Sequence, residues 1–437
     1  FRKVKERLLK NKRIAIITFF SGLLISVVAF AQQRFPRPDF ESDYVVPSPL
    51  APEPRWASME ILDVIILLIV LVLTSWLAIK KRSRRGILYL SIFTLIYFGF
   101  YRNGCICSIG GIQNVTLTLF NPAYAISVTA LLFFVLPLIF ALFMGRVFCG
   151  AACPLGAIQE LVIFKPISIP SPLRKVLGLV PYLYLGLSIL YAATNTDFII
   201  CRYDPFIGIF RMDASFEMLI LGGSFLLLGM FVARPYCRFL CPYGVLLNWM
   251  SSVSKWHLSI TPSECVDCKL CAHSCPVDAI NKPVIEPVTT RKDINKFLVS
   301  VLIIPVLVLI GGYIGSKSHI YLSRVNSTVN LAELLIAQPE LKNDPDHIDV
   351  QTFLTSGKTM ETLVEEAAAI RSQFYYGGWI LGGFLGLAFG LIFTGKTIYR
   401  SRKDYEPDKG DCVSCGRCMD YCPVGKPDFD EIMKQIK

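Results

Sequence analysis

Long apolar runs set the pattern of this chain. A helix needs about 20 mostly apolar residues to cross a bilayer. Such runs fall near residues 13–31, 60–79, 86–101, 124–145, 176–194, 216–233, 296–315 and 374–394, the third being the shortest. The polar segments between them alternate in charge. Seven Lys and Arg lie in Phe1–Arg13, and Lys80-Lys81-Arg82-Ser83-Arg84-Arg85 separates the second and third runs. Lys165, Arg174 and Lys175 separate the fourth and fifth. Arg234, Arg238, Lys255, Lys269, Arg291 and Lys292 separate the sixth and seventh, and Lys396, Arg400, Arg402 and Lys403 come after the eighth. With eight spans all five segments share one side, and the positive-inside rule makes both termini cytoplasmic. The other side receives Gln32–Met59, Pro-rich and acidic, and Ser316–Ser372, with more acids than bases. The expected fold class is an all-α polytopic membrane protein of about eight transmembrane helices. The first run ends in Ala29-Phe30-Ala31, which also suits a signal peptide, but its length favours a spanning helix.

Composition agrees. The chain is 53% hydrophobic with mean hydropathy +0.52 and only 18% charged, too apolar for an ordinary soluble domain. Its formal net charge of +11 would otherwise suggest nucleic acid, but the bases cluster where helices leave a membrane. Disorder, a collagen-like chain and a small disulfide scaffold are excluded. The further anomaly is 15 cysteines against 4 histidines, which points to metal or redox chemistry.

Eight of those cysteines form two matched runs. Cys265-x2-Cys268-x2-Cys271-x3-Cys275-Pro276 recurs as Cys412-x2-Cys415-x2-Cys418-x3-Cys422-Pro423, 147 residues later. This is the bacterial ferredoxin pattern for [4Fe–4S] clusters, in which the fourth Cys serves the other cluster. A zinc site would usually use two separated pairs. Cluster A is therefore expected on Cys265, Cys268, Cys271 and Cys422, and cluster B on Cys412, Cys415, Cys418 and Cys275. The alternative is four ligands within each contiguous run. Both runs fall on the cytoplasmic side, so the seventh and eighth spans split one two-cluster, ferredoxin-like α+β domain into separated segments. His273 reads as a surface residue.

The seven remaining cysteines lie near the membrane. Arg146-Val147-Phe148-Cys149-Gly150-Ala151-Ala152-Cys153-Pro154-Leu155-Gly156 matches Arg234-Pro235-Tyr236-Cys237-Arg238-Phe239-Leu240-Cys241-Pro242-Tyr243-Gly244, offset by 88 residues. A matched motif at this spacing is an internal repeat, and Pro suits the first turn of a new helix. Cys149, Cys153, Cys237 and Cys241 are expected to make an inner tetrathiolate site. A third group, Cys105, Cys107 and Cys201, is placed toward the outer side. Cys107-Ser-Ile-Gly-Gly-Ile-Gln-Asn echoes Cys153-Pro-Leu-Gly-Ala-Ile-Gln-Glu as a degenerate copy. It leaves two readings open: a cluster or metal with a fourth ligand, or a disulfide with one thiol left over.

Paired CxxxCP motifs with two ferredoxin runs resemble membrane polyferredoxins of the NapH/NosR type, over roughly residues 86–280 and 374–430. The resemblance implies electron transfer across a bacterial inner membrane, in proteins that serve periplasmic nitrate reductase and nitrous oxide reductase. NosR-type proteins carry a flavin-binding domain after the first helix, for which Gln32–Met59 is too short. A separate flavin-binding or periplasmic redox subunit is therefore the expected partner in a heteromeric complex. NapH-type proteins are smaller, with closely spaced ferredoxin runs.

The organisation expected is a basic tail and first helix (1–31), a periplasmic loop (32–59), a membrane core with the Cys motifs (60–255) and a first ferredoxin half (256–292). Next come a helix (293–315), a periplasmic segment (316–373), a helix (374–395) and the second ferredoxin half (396–437). Short amphipathic helices are expected around Leu331–Ala337 and Leu363–Ile370. There is no CxxCH, all four histidines fall outside the expected spans, and no GxGxxG or Walker motif precedes a helix. No haem, nucleotide or nucleic acid is expected. Electron transfer competes with two other functions. One is a copper-handling assembly factor, since soft thiolates suit Cu(I); the other is a quinol-oxidising subunit. Few ionisable residues fall inside the spans, which argues against an ion transporter.

Overall fold

The computed structural model describes residues 56–104, 107–212, 215–260, 265–284, 291–340, 347–355, 357–394 and 402–424. The expected first helix at 13–31, most of the 32–59 loop, Cys105 and everything after Val424 lie outside the described residues.

The chain is mostly helical. Among the described residues, four helices are long and apolar enough to cross a membrane: Ser58–Lys80, Ser171–Ala193, Phe297–Ser323 and Met360–Phe393. Val128–Met144 and Phe216–Phe231 are equally apolar but have only 17 and 16 residues, at the short limit for a span. The first stops at Gly145, whose φ of 74° cannot continue a right-handed helix. The second gives way to extended backbone at Val232, and Arg234 (φ 49°) then opens the next short helix. The chain turns at each place into a CxxxCP motif. The expected run 86–101 is one helix that starts at Arg84, where the Ser83 hydroxyl accepts from the Gly86 amide. It continues through the wider i→i+5 turns of Leu95–Tyr101. At its far end Arg102 pairs with the buried Asp63 at 2.8 Å, and the Tyr97 hydroxyl donates to the same carboxylate at 2.8 Å.

Three short helices follow cysteines: Pro154–Leu161 and Pro242–Ser252 begin directly after Cys153 and Cys241, and Gly111–Phe120 begins one turn after Cys107. In the first two, Pro occupies the first helical position, where its missing N–H leaves no bond unmade. The buried core runs between these half-helices and includes Phe148, Ile200, Phe206, Phe210, Tyr236 and Tyr243.

Two expectations are corrected in the last third of the chain. Helix Arg291–Ser323 outruns the apolar window that ends at 315, so His319 lies inside this helix, its ring edge-on to Tyr375 at 5.4 Å. Leu363–Ile370 is no separate element but the opening of the 35-residue helix Met360–Thr394. The stretch Glu365–Ala369 is made of good helix formers with no breaker, and Leu363 and Ala367 bury against Val329, Ala332 and Leu335. Ser327–Ala337 does stand as a short helix, capped by Asn326, which accepts from the Thr328 amide at 3.0 Å.

The two long helices approach backbone to backbone. Gly311 and Gly315 face Gly378, Gly382 and Gly386, and a Cβ at Gly315 would collide with the Gly378 carbonyl oxygen. Small residues at i and i+4 permit this approach in an apolar medium, where packing is the main attraction. The hairpin so formed carries the chain out and back. Ile280 and Asn281 then pair antiparallel with Pro407 and Glu406, and Val284 and Arg402 exchange two backbone bonds of 2.9 Å. Gly382→Leu should separate the hairpin and destabilise the protein by about 1–3 kcal/mol. The thermal transition of the detergent-solubilised protein reads this, with Gly223→Ala, a site with nothing within 4 Å, as the neutral control.

Candidate functional site

The two ferredoxin-type runs fold alike. In the first, Asp267 and Lys269 flank Cys268 with φ of 51° and 63°; in the second, Ser414 and Gly416 flank Cys415 with 51° and 75°. Left-handed residues on both sides of the middle Cys curl the backbone into a concave nest of amides, a form that binds anions and Fe–S groups. Each loop then enters a one-turn helix, Leu270–Ser274 or Arg417–Tyr421. Cys265, Cys268, Cys271 and Cys422 surround one small apolar cavity, with Ile260, Val266 and Tyr405. Cys275, Cys412, Cys415 and Cys418 surround a second, with Leu258, Val277 and Pro407. The fourth Cys of each run thus sits with the first three of the other. Burial pushes the Cys412 thiol up to about 12 and the Cys271 thiol to about 11. In the second set Cys415 and Cys418 are also buried, whereas Cys268 of the first is exposed; a thiol kept from ionising by burial suits a metal that takes the place of the proton.

The inner motifs are two copies of one turn. The Cys153 amide donates to Phe148 O at 3.0 Å, and the Cys241 amide donates to Tyr236 O at 2.9 Å, the same i→i+5 closure. Cys149, Cys153, Cys237 and Cys241 are near enough to feel one another's charge. The structure therefore brings these four together. It also gives partners to residues whose roles the motif spacing leaves open. The Gln159 amide donates to Cys237 Sγ at 3.4 Å and to Leu155 O at 2.8 Å, while its oxygen accepts from the Tyr236 amide at 3.1 Å. Arg234 donates to Cys149 O. Arg146 donates to Gly410 O at 2.9 Å and points toward Cys149 Sγ at 3.8 Å. The sequence signal for both arginines is their matched place in the 88-residue repeat.

Glu160, 3% exposed, is the next residue after Gln159. It accepts from Arg234 (2.9 Å), Arg84 (2.6 Å) and Arg417 (2.8 Å). Burial alone would raise its carboxyl; the three guanidiniums outweigh burial and hold it at about 2. Arg84 also donates to Cys415 O at 2.7 Å. The second ferredoxin-type loop therefore lies directly on the inner motif, and a Cβ on Gly150 would stand 2.9 Å from Ser414 O.

The outer group is partly visible. Cys105 lies outside the described residues, and Cys107 and Cys201 are not bonded to each other. Gln113 repeats the role of Gln159: its oxygen accepts from the Ile200 amide, one residue before Cys201, at 3.0 Å, and its Nε2 is buried without a partner. Asp204, 4% exposed, carries no motif that would have marked it in the sequence. Its carboxylate accepts from the Phe206 and Ile207 amides and from the Tyr236 hydroxyl at 3.3 Å, and its charge reaches Cys107. Cys107 is within electrostatic reach of Cys153. Cys107 packs against the buried core that holds Cys149, Cys153 and Cys241.

Known proteins share parts of this chain. A family described as a 4Fe–4S binding domain matches residues 126–170 and 214–261, the two CxxxCP copies, and a second 4Fe–4S binding domain family matches residues 258–281. An uncharacterized protein of Methanocaldococcus jannaschii is 31% identical over 191 residues, 42% of this chain and 77% of that protein. The chain belongs to the NapH/NosR-type family of 4Fe–4S membrane proteins. The putative electron transport protein YccM of Escherichia coli is 26% identical over 38% of this chain. The regulatory protein NosR of Pseudomonas aeruginosa is 29% identical over 46%. The chain spans 52% of YccM and 30% of NosR. No solved structure matches this NapH/NosR-type chain.

Glu160→Gln leaves three guanidiniums short of their carboxylate. Removing one partner of a buried pair costs about 3–5 kcal/mol, so residues 402–424 should become protease-sensitive. In the native protein the carboxylate is held at about 2 against an ordinary 4.5. Its contribution is therefore complete above 4.5 and is lost only as pH falls through about 2. Protection of 402–424 should consequently survive at pH 4.

Proposed function

We propose that this chain is a membrane iron–sulfur electron-transfer subunit. Cys265, Cys268, Cys271 and Cys422 would hold one [4Fe–4S] cluster, and Cys275, Cys412, Cys415 and Cys418 a second. Cys149, Cys153, Cys237 and Cys241 would hold a third redox group, and Cys105, Cys107 and Cys201 an outer one. The clusters supply one-electron chemistry; the protein supplies ligation, burial and hydrogen bonds that set their potentials. In this reading about eight helices span a bacterial inner membrane, with both termini and the ferredoxin domain, assembled from 256–292 and 396–437, in the cytoplasm. A periplasmic or flavin-binding subunit completes the complex.

The observation that carries the reading is the unbroken succession of thiol groups. Cys418 feels the charge of Cys271, which links the two ferredoxin-type sets. The Cys412–Cys418 loop lies against Gly150, which links it to the inner set. Cys107 packs against the same buried core as Cys149 and Cys153, which associates the outer set with the inner. Orphaned buried donors at Arg146, Arg234 and Gln113 suit anionic groups in both membrane sites. YccM, by its name, is an electron transport protein.

Iron and acid-labile sulfide counted per chain, in protein purified anaerobically, test the proposal. More than eight irons are expected, falling by about four in Cys237→Ser; eight irons in the native protein and no further metal would remove the membrane half. Exchange of the fourth ligands predicts that Cys275→Ser perturbs the EPR signal of the cluster on the 412–418 loop. If it perturbs the 265–271 cluster instead, each run holds its own.

A further inference from the structure

Arg146 and Arg234 occupy equivalent places in the 88-residue repeat, and each side chain crosses to the other copy. Arg234 Nη1 lies 3.4 Å from where a Cβ on Gly156 would stand, and Arg146 Nη2 lies 3.4 Å from the same point on Gly244. Glycine three residues after the second Cys of each motif makes room for the opposite guanidinium. Both arginines are buried, at 7% and 1% exposure. Each keeps a buried N–H with no partner, Nε of Arg146 and Nη2 of Arg234. Arg146 forms no ion pair among the described residues; its bonds go to Gly410 O and toward Cys149 Sγ. A buried guanidinium without a counter-charge is strongly unfavourable. Arg234 pairs with Glu160 at 2.9 Å, but shares that one carboxylate with Arg84 and Arg417. Arg146 has Cys149 and Asp411 as its nearest acidic groups, and Cys149 lies in the field of both arginines.

We propose that Arg146 and Arg234 are the paired counter-charges of the redox group on Cys149, Cys153, Cys237 and Cys241, and that they raise its reduction potential. This rests on the reading that these four thiols hold an iron–sulfur cluster. Reduction adds one electron and hence one negative charge, with no bond made and no proton moved. A fixed positive charge in a low-dielectric interior stabilises that added charge far more than it would in water. Gln159, donating to Cys237 Sγ, acts in the same sense. The two arginines are positioning residues that act through the ligating sulfurs.

The test is EPR-monitored redox titration of the full-length protein in detergent, the inner signal being the one lost in Cys237→Ser. Arg146→Met should lower the inner potential by at least tenfold in the reduction equilibrium, 59 mV for a one-electron couple. Arg146→Lys, which keeps the charge and loses the fork, should stay near the native value. Arg234→Lys serves as the second variant, because a neutral residue there would also strand Glu160. If Arg146→Met loses the inner iron while Arg146→Lys keeps it, the counter-charge role stands. An unshifted inner potential in Arg146→Met with iron content intact overturns the proposal, as do equal effects of Met and Lys. A native protein with only eight irons and no inner signal defeats the underlying reading before any arginine is changed, so the two failures are distinct.

Discussion

One buried carboxylate ties the molecule together. Glu160 sits at the end of a half-helix that begins at Cys153 and accepts from three guanidiniums: Arg84 at the start of a membrane helix, Arg234 in the other repeat copy and Arg417 in the second ferredoxin-type loop. None of those segments is close to another in sequence. Their only shared anchor among the described residues is an anion that cannot be withdrawn without leaving positive charge in the interior. This contact, with Arg146 on Gly410 O, Arg84 on Cys415 O and Gly150 against Ser414 O, holds the 412–418 loop on the inner motif.

The half-helix is the repeated unit on which the membrane cysteine groups are built. Each copy presents a cysteine at the start of a short helix, where unpaired amides and the positive end of the helix dipole favour negative charge. A glutamine two turns along, in two of the copies, accepts from the amide just before a cysteine of the next unit: Gln159 from Tyr236 and Gln113 from Ile200. The third copy has Leu247 at that place. Tyr236 extends the series, since it precedes Cys237 and its hydroxyl reaches Asp204 beside the outer thiols. One side chain thus bridges the inner and outer groups.

The long glycine-lined hairpin explains how a ferredoxin-type domain survives being divided. An insertion between two halves is tolerated when its ends return to the same place. Close packing of Gly311 and Gly315 on Gly378, Gly382 and Gly386 holds the helices as one unit, and the pairing of Val284 with Arg402 closes it at the base. The short helix Ser327–Ala337 caps the far end against Leu363 and Ala367.

Sequence alone determined the thiol sets, because ligand spacing in a short loop is a local property: CxxCxxCxxxCP states its own chemistry, and a motif repeated at a fixed offset announces a pair. It also located the apolar runs, since membrane solvation acts residue by residue along a helix. Helix ends escaped it, as Leu363–Ile370 and His319 show, because hydropathy marks where lipid begins rather than where backbone hydrogen bonding stops. The glycine seam, the crossed arginines, the Glu160 junction and Asp204 escaped it as well. Each depends on which distant segments share a buried space, and the cost of an unpaired charge or of a side chain between two backbones exists only once those segments have met. Tertiary structure alone decided that Cys107 packs against the core that holds Cys149, Cys153 and Cys241.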